Sequence, residues 1–287
     1  MKREPSPVQA INLHERLGKL TAKRQEILRP VLEQPRGFVL LSVRAMAKRL
    51  GTDPATIVRI VRVLGFESFR DFQKHLHDLS IAFATSADTM QAGSASAGKH
   101  AYVSDSIDRD LKNLQALKNT IDAARLTDLA KRMHSARRIV LLAGDLASYL
   151  ADYLEYQISL LGLPIFAATS AGRIGHLTRS LAKEDLVIAI SFRRGLRQTV
   201  EGARKAVERG AYCVAITDTF LSPLSRFANE TFLAGIESTS FGASYAAPVA
   251  LINALLAGCG QIRKAETLEI VQEISQEQRH GFRWFQE

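Results

Sequence analysis

The chain has 287 residues, 46% apolar and 23% charged, which excludes a disordered or fibrous protein and supplies apolar material for one large core or two ordinary ones. Two cysteines exclude a disulfide framework. The formal charge of +9 is unevenly spread: residues 1–80 carry 15 Lys and Arg against 8 Asp and Glu, the remainder 23 against 21. That asymmetry points to a polyanion-binding amino-terminal part and a near-neutral body.

The opening "MKREPSPVQA" lacks the apolar core of a signal peptide. Cys213 and Cys259 lie far apart among apolar neighbours, so a reducing, cytoplasmic setting is expected. Residues 11–33 read as helical, with Thr21 placed to cap "AKRQEILRPVLEQP". Next comes "LSVRAMAKRLGTDPATIVRIVRVLGF", a helix over 42–51 and a second over 53–64. Ser42 can cap the first, whose apolar side is Val43, Met46, Ala47 and Leu50, and Gly51 ends it cheaply in the left-handed region. Asp53 can cap the second, with Pro54 at the first helical position. Ile57, Ile60, Val61 and Leu64 then form one stripe, Ala55, Arg59 and Arg62 lie opposite, and Thr56 and Val63 flank them. This division suits a helix–turn–helix: one face packs, the other enters a DNA major groove. Arginine can pair bidentately with guanine, while Arg44, Lys48 and Arg49 on the preceding helix are placed to reach phosphates. A plain helical hairpin with a solvated basic face has the same pattern. "ESFRDFQKHLHDLS" continues as a further helix, with Phe69, Phe72 and Leu76 on one side.

"SVRAMAKRLGTDPATIVRIVRVLGFESFRDFQKHL" resembles the helix–turn–helix of RpiR-type (MurR/RpiR) transcriptional regulators. The resemblance implies that the 54–64 helix reads DNA, with Thr52, Ala55, Thr56 and Arg59 as contacts. Ile60 stands where the family often has an aromatic residue, on the inward side.

The small, polar "TSADTMQAGSASAGKHA" marks a linker. We divide the chain into a DNA-binding domain over 1–82, a linker over 83–102 and a second domain over 103–287. Ile107, Leu111, Leu114, Leu117 and Ile121 give an amphipathic helix. Strands and helices then alternate: "RRIVLLAG", "PIFAA", "DLVIAIS", "AYCVAIT" and "TFLAG" are strands, with helices between the first four. Unbroken apolar strands mean both faces are covered, so the body is a parallel sheet flanked by helices. "SYAAPVALINALLAGCG" is too short for a bilayer, where about 20 residues are needed, and reads as a core helix near 243–258, followed by a helical tail.

Open parallel sheets bind ligands at strand carboxyl ends. Gly144 after the first strand allows a tight turn, and Ser148 falls in the first turn of the next helix, a setting that favours an anion or a plain connection. Ser191 ends a strand before Arg193, Arg194 and Arg197, which suit a phosphate or carboxylate, or else a solvated loop or a dimer salt bridge. "LAGDLASYLADYLEYQISLLG", "DLVIAISFRRG", "GAYCVAITDTFLSPLSRFANETFLA" and "SFGASYAAPVALINALLAG" resemble the SIS (sugar isomerase) domain over roughly 103–260. The resemblance implies a bound phosphosugar or related small anion. The loop "SFRRGLRQT" departs from the usual "SxSGxT", keeping Ser191 but placing arginines where a second hydroxyl is expected. Ser238, Ser240 and Ser244 of "ESTSFGASY" either add hydroxyls or cap the following helix.

The expectation is an all-α helix–turn–helix domain joined to an α/β SIS domain: a regulator, more a repressor than an activator, of a double-stranded DNA operator. It takes a phosphosugar-like anion as effector, acts as a homodimer or homotetramer, and involves no membrane. The alternatives are a sugar-phosphate isomerase, for which Glu155 and His176 are the bases to consider, and an architectural nucleic-acid-binding protein without effector. His75 and His77 diverge on their helix, there is no Cys/His cluster and no GxxxxGK[ST] or GxGxxG loop, so no metal and no cofactor is expected. For "GFRWFQE" the expectation is core or interface packing.

Overall fold

The computed structural model describes Leu17 and residues 20–33, 35–82, 100–193, 195–220 and 222–280. It divides into two units, residues 1–106 with 237–243, and residues 107–236 with 244–287.

In the first unit α1 (Ala22–Glu33) is followed by α2 (Val43–Arg49), α3 (Pro54–Val63) and α4 (Phe69–Ala82). Each expected cap of the helix pair forms. Ser42 Oγ accepts from Ala45 N–H at 3.2 Å, and Asp53 Oδ1 accepts from Thr56 N–H at 2.8 Å. Gly51 sits at φ +64° between the two helices, where any Cβ would be strained. Met46, Ala47, Ile57, Ile60, Val61 and Leu64 are buried with Leu28, Val31, Phe38, Phe66, Phe72 and Leu76. Phe66 meets Phe72 edge-on, with centroids 5.4 Å apart.

Within the expected linker, residues 83–99 lie outside the described residues, and α5 (Ala101–Thr120) already begins at Ala101. Its periodic stripe is only half used: Leu117 is buried, whereas Ile107 and Leu111 are exposed. The sequence reading passes over α6 (Ala123–Ser135), which Asp122 caps through the N–H groups of Ala124 and Arg125.

The second unit is built on five parallel strands, β1 (Ile139–Leu142), β2 (Ile165–Ala168), β3 (Leu186–Ile190), β4 (Tyr212–Thr217) and β5 (Glu230–Leu233), in the order β2-β1-β3-β4-β5. Alternate side chains serve opposite cores, as a strand repeat of two residues requires. Ile139, Leu141, Ile188 and Ile216 pack under α6, α7 (Ser148–Ser159) and α10 (Ala246–Ile262); Val140, Leu142, Ala189 and Ala215 pack under α8 (Ala171–Arg179) and α9 (Arg197–Glu208). Helices on both faces are what the apolar strand runs predict. Edge strand β2 departs from this, since Phe166 is exposed. The helix α10 buries Ala247, Leu251, Ile252, Leu255 and Cys259, as expected for a core helix. α11 (Lys264–His280) follows, and residues 281–287 lie outside the described residues. No single helix among the described residues is long and apolar enough to cross a membrane.

At the amino ends of β1 and β3, Asp185 is fully enclosed and accepts from Arg137 Nε and Nη2, each at 2.8 Å, from Arg138 and from Ala182 N–H. Burial alone raises a carboxyl pKa, but these bonds outweigh it and hold Asp185 below the usual carboxylate range.

Candidate functional site

Two surfaces carry chemistry, one in each unit. In the first, α3 turns Ala55, Arg59 and Arg62 outward, while Ile57, Ile60 and Val61 are buried behind them. Ile60 faces inward, as its place in the pattern requires. Arg44 and Lys48 on α2 are exposed, and Thr52 is half-buried in the turn. Thr56 is more committed than its sequence position implies. Its hydroxyl donates to Asp53 Oδ2 at 2.6 Å while its N–H is bound by Oδ1, and these bonds hold the Asp53 carboxyl below its ordinary value. Arg49, expected to reach phosphates, instead braces the domain: Nη1 donates to the Gly37 carbonyl at 2.7 Å and the guanidinium lies 4.7 Å from the Phe38 centroid.

In the second unit the strand order reverses direction between β1 and β3. A ligand crevice in a doubly wound sheet lies at the carboxyl ends of such a pair. The two loops that flank it are those singled out by sequence, and they approach closely. A Cβ on Gly144 would stand 2.5 Å from Leu196 Cδ2 and 2.9 Å from Gln198 Nε2. Gly144 itself is extended, at φ −169°, so the tight turn falls instead on Asp145, at φ +53°. What Gly144 supplies is room for the opposite loop. Ser148 starts α7, where its hydroxyl donates to the Asp145 carbonyl at 2.7 Å.

The loop after β3 is closed from within and from beside. Ser191 is buried and its Oγ accepts from Leu196 N–H at 2.9 Å; Gly195 N–H donates to the Phe192 carbonyl. Arg193 adopts φ +57°, a region that costs a non-glycine residue about 1–2 kcal/mol. Its N–H donates to Asp218 Oδ1 at 2.8 Å, from the end of β4. Burial holds the Asp218 carboxyl above its ordinary value, opposed by this N–H. Phe192 packs against Tyr245 with centroids 5.1 Å apart, and burial, with Asp145 and Asp218 nearby, pushes the Tyr245 hydroxyl to about 12. Thr199, in the first turn of α9, is buried and its hydroxyl has no hydrogen-bond partner. Arg194 lies outside the described residues; Arg197 begins α9 and is exposed.

Sequence reasoning missed Asp145, Phe192, Asp218 and Tyr245. Asp218 had a usable signal: it directly follows β4, the strand next to β3. Ser238 and Ser240 fall in the segment grouped with the first unit, where Ser240 N–H donates to Ser238 Oγ at 3.0 Å. Ser244 Oγ accepts from Ala246 N–H at 3.3 Å just ahead of α10, whose N-cap is Tyr245. Of the two bases weighed for catalysis, Glu155 accepts from the edge-strand N–H of Ala167 at 2.7 Å. His176 is in the last turn of α8, next to Ser180, whose carbonyl is bound by Arg138 at the amino end of β1. That is the end of the sheet away from the crevice. Cys213 and Cys259 are buried and their thiols are pushed up to about 12, so neither is a nucleophile at neutral pH.

Residues 9–82 match the family model of the rpiR-family helix-turn-helix domain and residues 132–258 that of the SIS domain. An uncharacterized HTH-type transcriptional regulator of Haemophilus influenzae is 24% identical over 221 residues, covering 75% of this chain and 76% of its own. Another, from Caldanaerobacter subterraneus subsp. tengcongensis, is 24% identical over 234 residues, 80% of this chain and 81% of its own. Among solved structures, the sugar isomerase domain of an RpiR transcription factor from Sphaerobacter thermophilus aligns with a TM-score of 0.57 at 24% identity, covering 60% of this chain and 96% of that one. The Vibrio vulnificus NanR protein, complexed with ManNAc-6P, aligns with a TM-score of 0.54 at 22% identity over 92% of this chain and 97% of its own. At these identities the structural likenesses are likenesses of fold.

Proposed function

Since the chain belongs to the rpiR family of helix-turn-helix transcriptional regulators with a SIS domain, we propose that it represses transcription as a homodimer or homotetramer and is switched by a phosphosugar or similar small anion. The observation that carries the DNA half is α3 itself: a capped helix with a wholly buried inner stripe and Ala55, Arg59 and Arg62 exposed on the other side. Arg59 and Arg62 are assigned to base edges or adjacent phosphates, Thr52, Ala55 and Thr56 to the close approach at the helix start, and Arg44 and Lys48 to phosphates. Two such helices, a helical turn of DNA apart, recognise a palindromic operator.

The effector half rests on the crevice between β1 and β3. Gly144 meets the loop of Ser191 and Arg193 through Leu196 and Gln198, and Ser148, Ser191, Arg193 and Arg194 are assigned to the effector because hydroxyls and guanidinium groups suit a phosphate or carboxylate. The relative that binds ManNAc-6P supports a phosphosugar as the class to try first. The effector changes DNA affinity only as far as it binds the DNA-competent and incompetent arrangements unequally. No step of catalysis is assigned, because the carboxylate of Glu155 is spent on the edge strand. The protein is assigned to the cytoplasm.

The test is selection of a duplex from a random-sequence pool with the purified protein, followed by anisotropy titration of the selected duplex. Enrichment of a palindrome, a steep loss of affinity with salt and release by a phosphosugar are expected. Failure to enrich any duplex, or a salt-independent affinity, overturns the DNA assignment; turnover of a sugar phosphate overturns the regulatory one.

A further inference from the structure

Arg193 is held in an unusual backbone conformation by a residue outside the two candidate loops. It sits at φ +57°, where a side chain is disfavoured, and turns like this persist only when their surroundings determine them. The far end of the loop is tied by Ser191 Oγ to Leu196 N–H at 2.9 Å. The near end is tied by a group from another strand: Arg193 N–H donates to Asp218 Oδ1 at 2.8 Å. The same oxygen accepts from the Thr217 hydroxyl at 3.3 Å, and Thr217 is fully buried at the end of β4, so the carboxylate stands on a fixed base. Phe192, the residue before Arg193, is packed on Tyr245. The turn is therefore clamped on both sides of the arginine.

We infer that Asp218 is a positioning residue for the effector loop: its carboxylate holds the Arg193 backbone left-handed and so presents the guanidinium side of the loop to the crevice. The inference rests on the effector reading above for what the loop binds, but not for how the loop is held. Another role for a carboxylate on that N–H is competition, in which Asp218 stands in for the effector's anion and must be displaced. The two roles give opposite signs. A positioning residue strengthens anion binding, whereas a competitor weakens it.

The experiment compares wild type, Asp218→Asn and Asp218→Ala in the full chain. One readout is amide hydrogen exchange at Arg193 without ligand; the other is calorimetric affinity for N-acetylmannosamine 6-phosphate and inorganic phosphate. Asn keeps an acceptor oxygen, so Asp218→Asn should retain protection at Arg193. Asp218→Ala should exchange at least tenfold faster there and bind the anion at least tenfold more weakly. Unchanged exchange in Asp218→Ala overturns the inference, as does tighter anion binding. If no protein binds either anion, the exchange result still decides the positioning role, and it is the effector reading that falls. Should Asp218→Ala not fold, the pair Arg193→Gly with Asp218→Ala decides. Glycine takes the left-handed region freely, so recovery of folded protein supports the clamp and no recovery overturns it.

Discussion

Substituting Gly144 by alanine tests whether the two loops of the crevice are packed against each other. The added Cβ would lie 2.5 Å from Leu196 Cδ2 and 2.9 Å from Gln198 Nε2. Apolar carbons separate by about 3.5–4.0 Å at rest, so Leu196 must retreat by about 1 Å. The obstructing atoms are ends of flexible side chains, which favours the lower part of the range for overpacking, about 1–2 kcal/mol. The Leu196 N–H is held by Ser191 Oγ, so whatever part of the displacement side-chain rotation does not absorb passes to the Arg193 loop, and phosphosugar affinity is expected to fall about tenfold, or 1.4 kcal/mol. Gly172 is the control. It lies in α8 with nothing within 4 Å of its Cβ position, so Gly172→Ala should be neutral or stabilising by up to about 1 kcal/mol. Urea denaturation and calorimetric titration measure both effects. If Gly144→Ala matches wild type in stability and in anion affinity, the loops do not meet as described and the crevice assignment fails with them.

Arg59→Ala should weaken binding to the selected duplex by about 1–3 kcal/mol and relax preference at one base pair; equal loss on all sequences would reassign Arg59 to phosphate. Asp185→Asn should destabilise the second unit by about 3 kcal/mol, since Arg138 is left mostly enclosed without its carboxylate, and thermal unfolding reports it. The folded pKa of Asp185 is depressed, so its contribution is present above the unfolded carboxylate pKa and is lost as pH falls through the lower folded value. Acid titration of wild-type stability should therefore show a fall below about pH 4 that Asp185→Asn lacks. Thr199→Val replaces a buried unpaired hydroxyl by a methyl of the same shape and should raise unfolding stability by about 1 kcal/mol; a loss would show that the hydroxyl is satisfied by a bound molecule.

Legibility followed the range of the interactions. The helix pair was readable because its determinants are local: Ser42 and Asp53 bond N–H groups three residues on, and Gly51 needs only its own backbone freedom. The alternating sheet was readable because β1, β3 and β4 are apolar on both faces. The helix α6 was equally legible, since Asp122 caps it and Leu126, Leu129, Ala130 and Met133 fall at helical spacing, although the sequence reading passes over it. Arg49 and Glu155 looked available from sequence, yet each is bound by a backbone group 12 residues away.

The sequence by itself determined that a basic helical head precedes an α/β body, and which strand ends carry the candidate effector residues, because composition, caps and two-residue periodicity act over a few positions. Only the tertiary structure decided which of those residues are already occupied, why Gly144 must lack a side chain, and that Asp218, 25 residues from Arg193, holds its backbone. Parallel strands set residues distant in sequence side by side about 5 Å apart, and no local pattern records which neighbour a strand will choose.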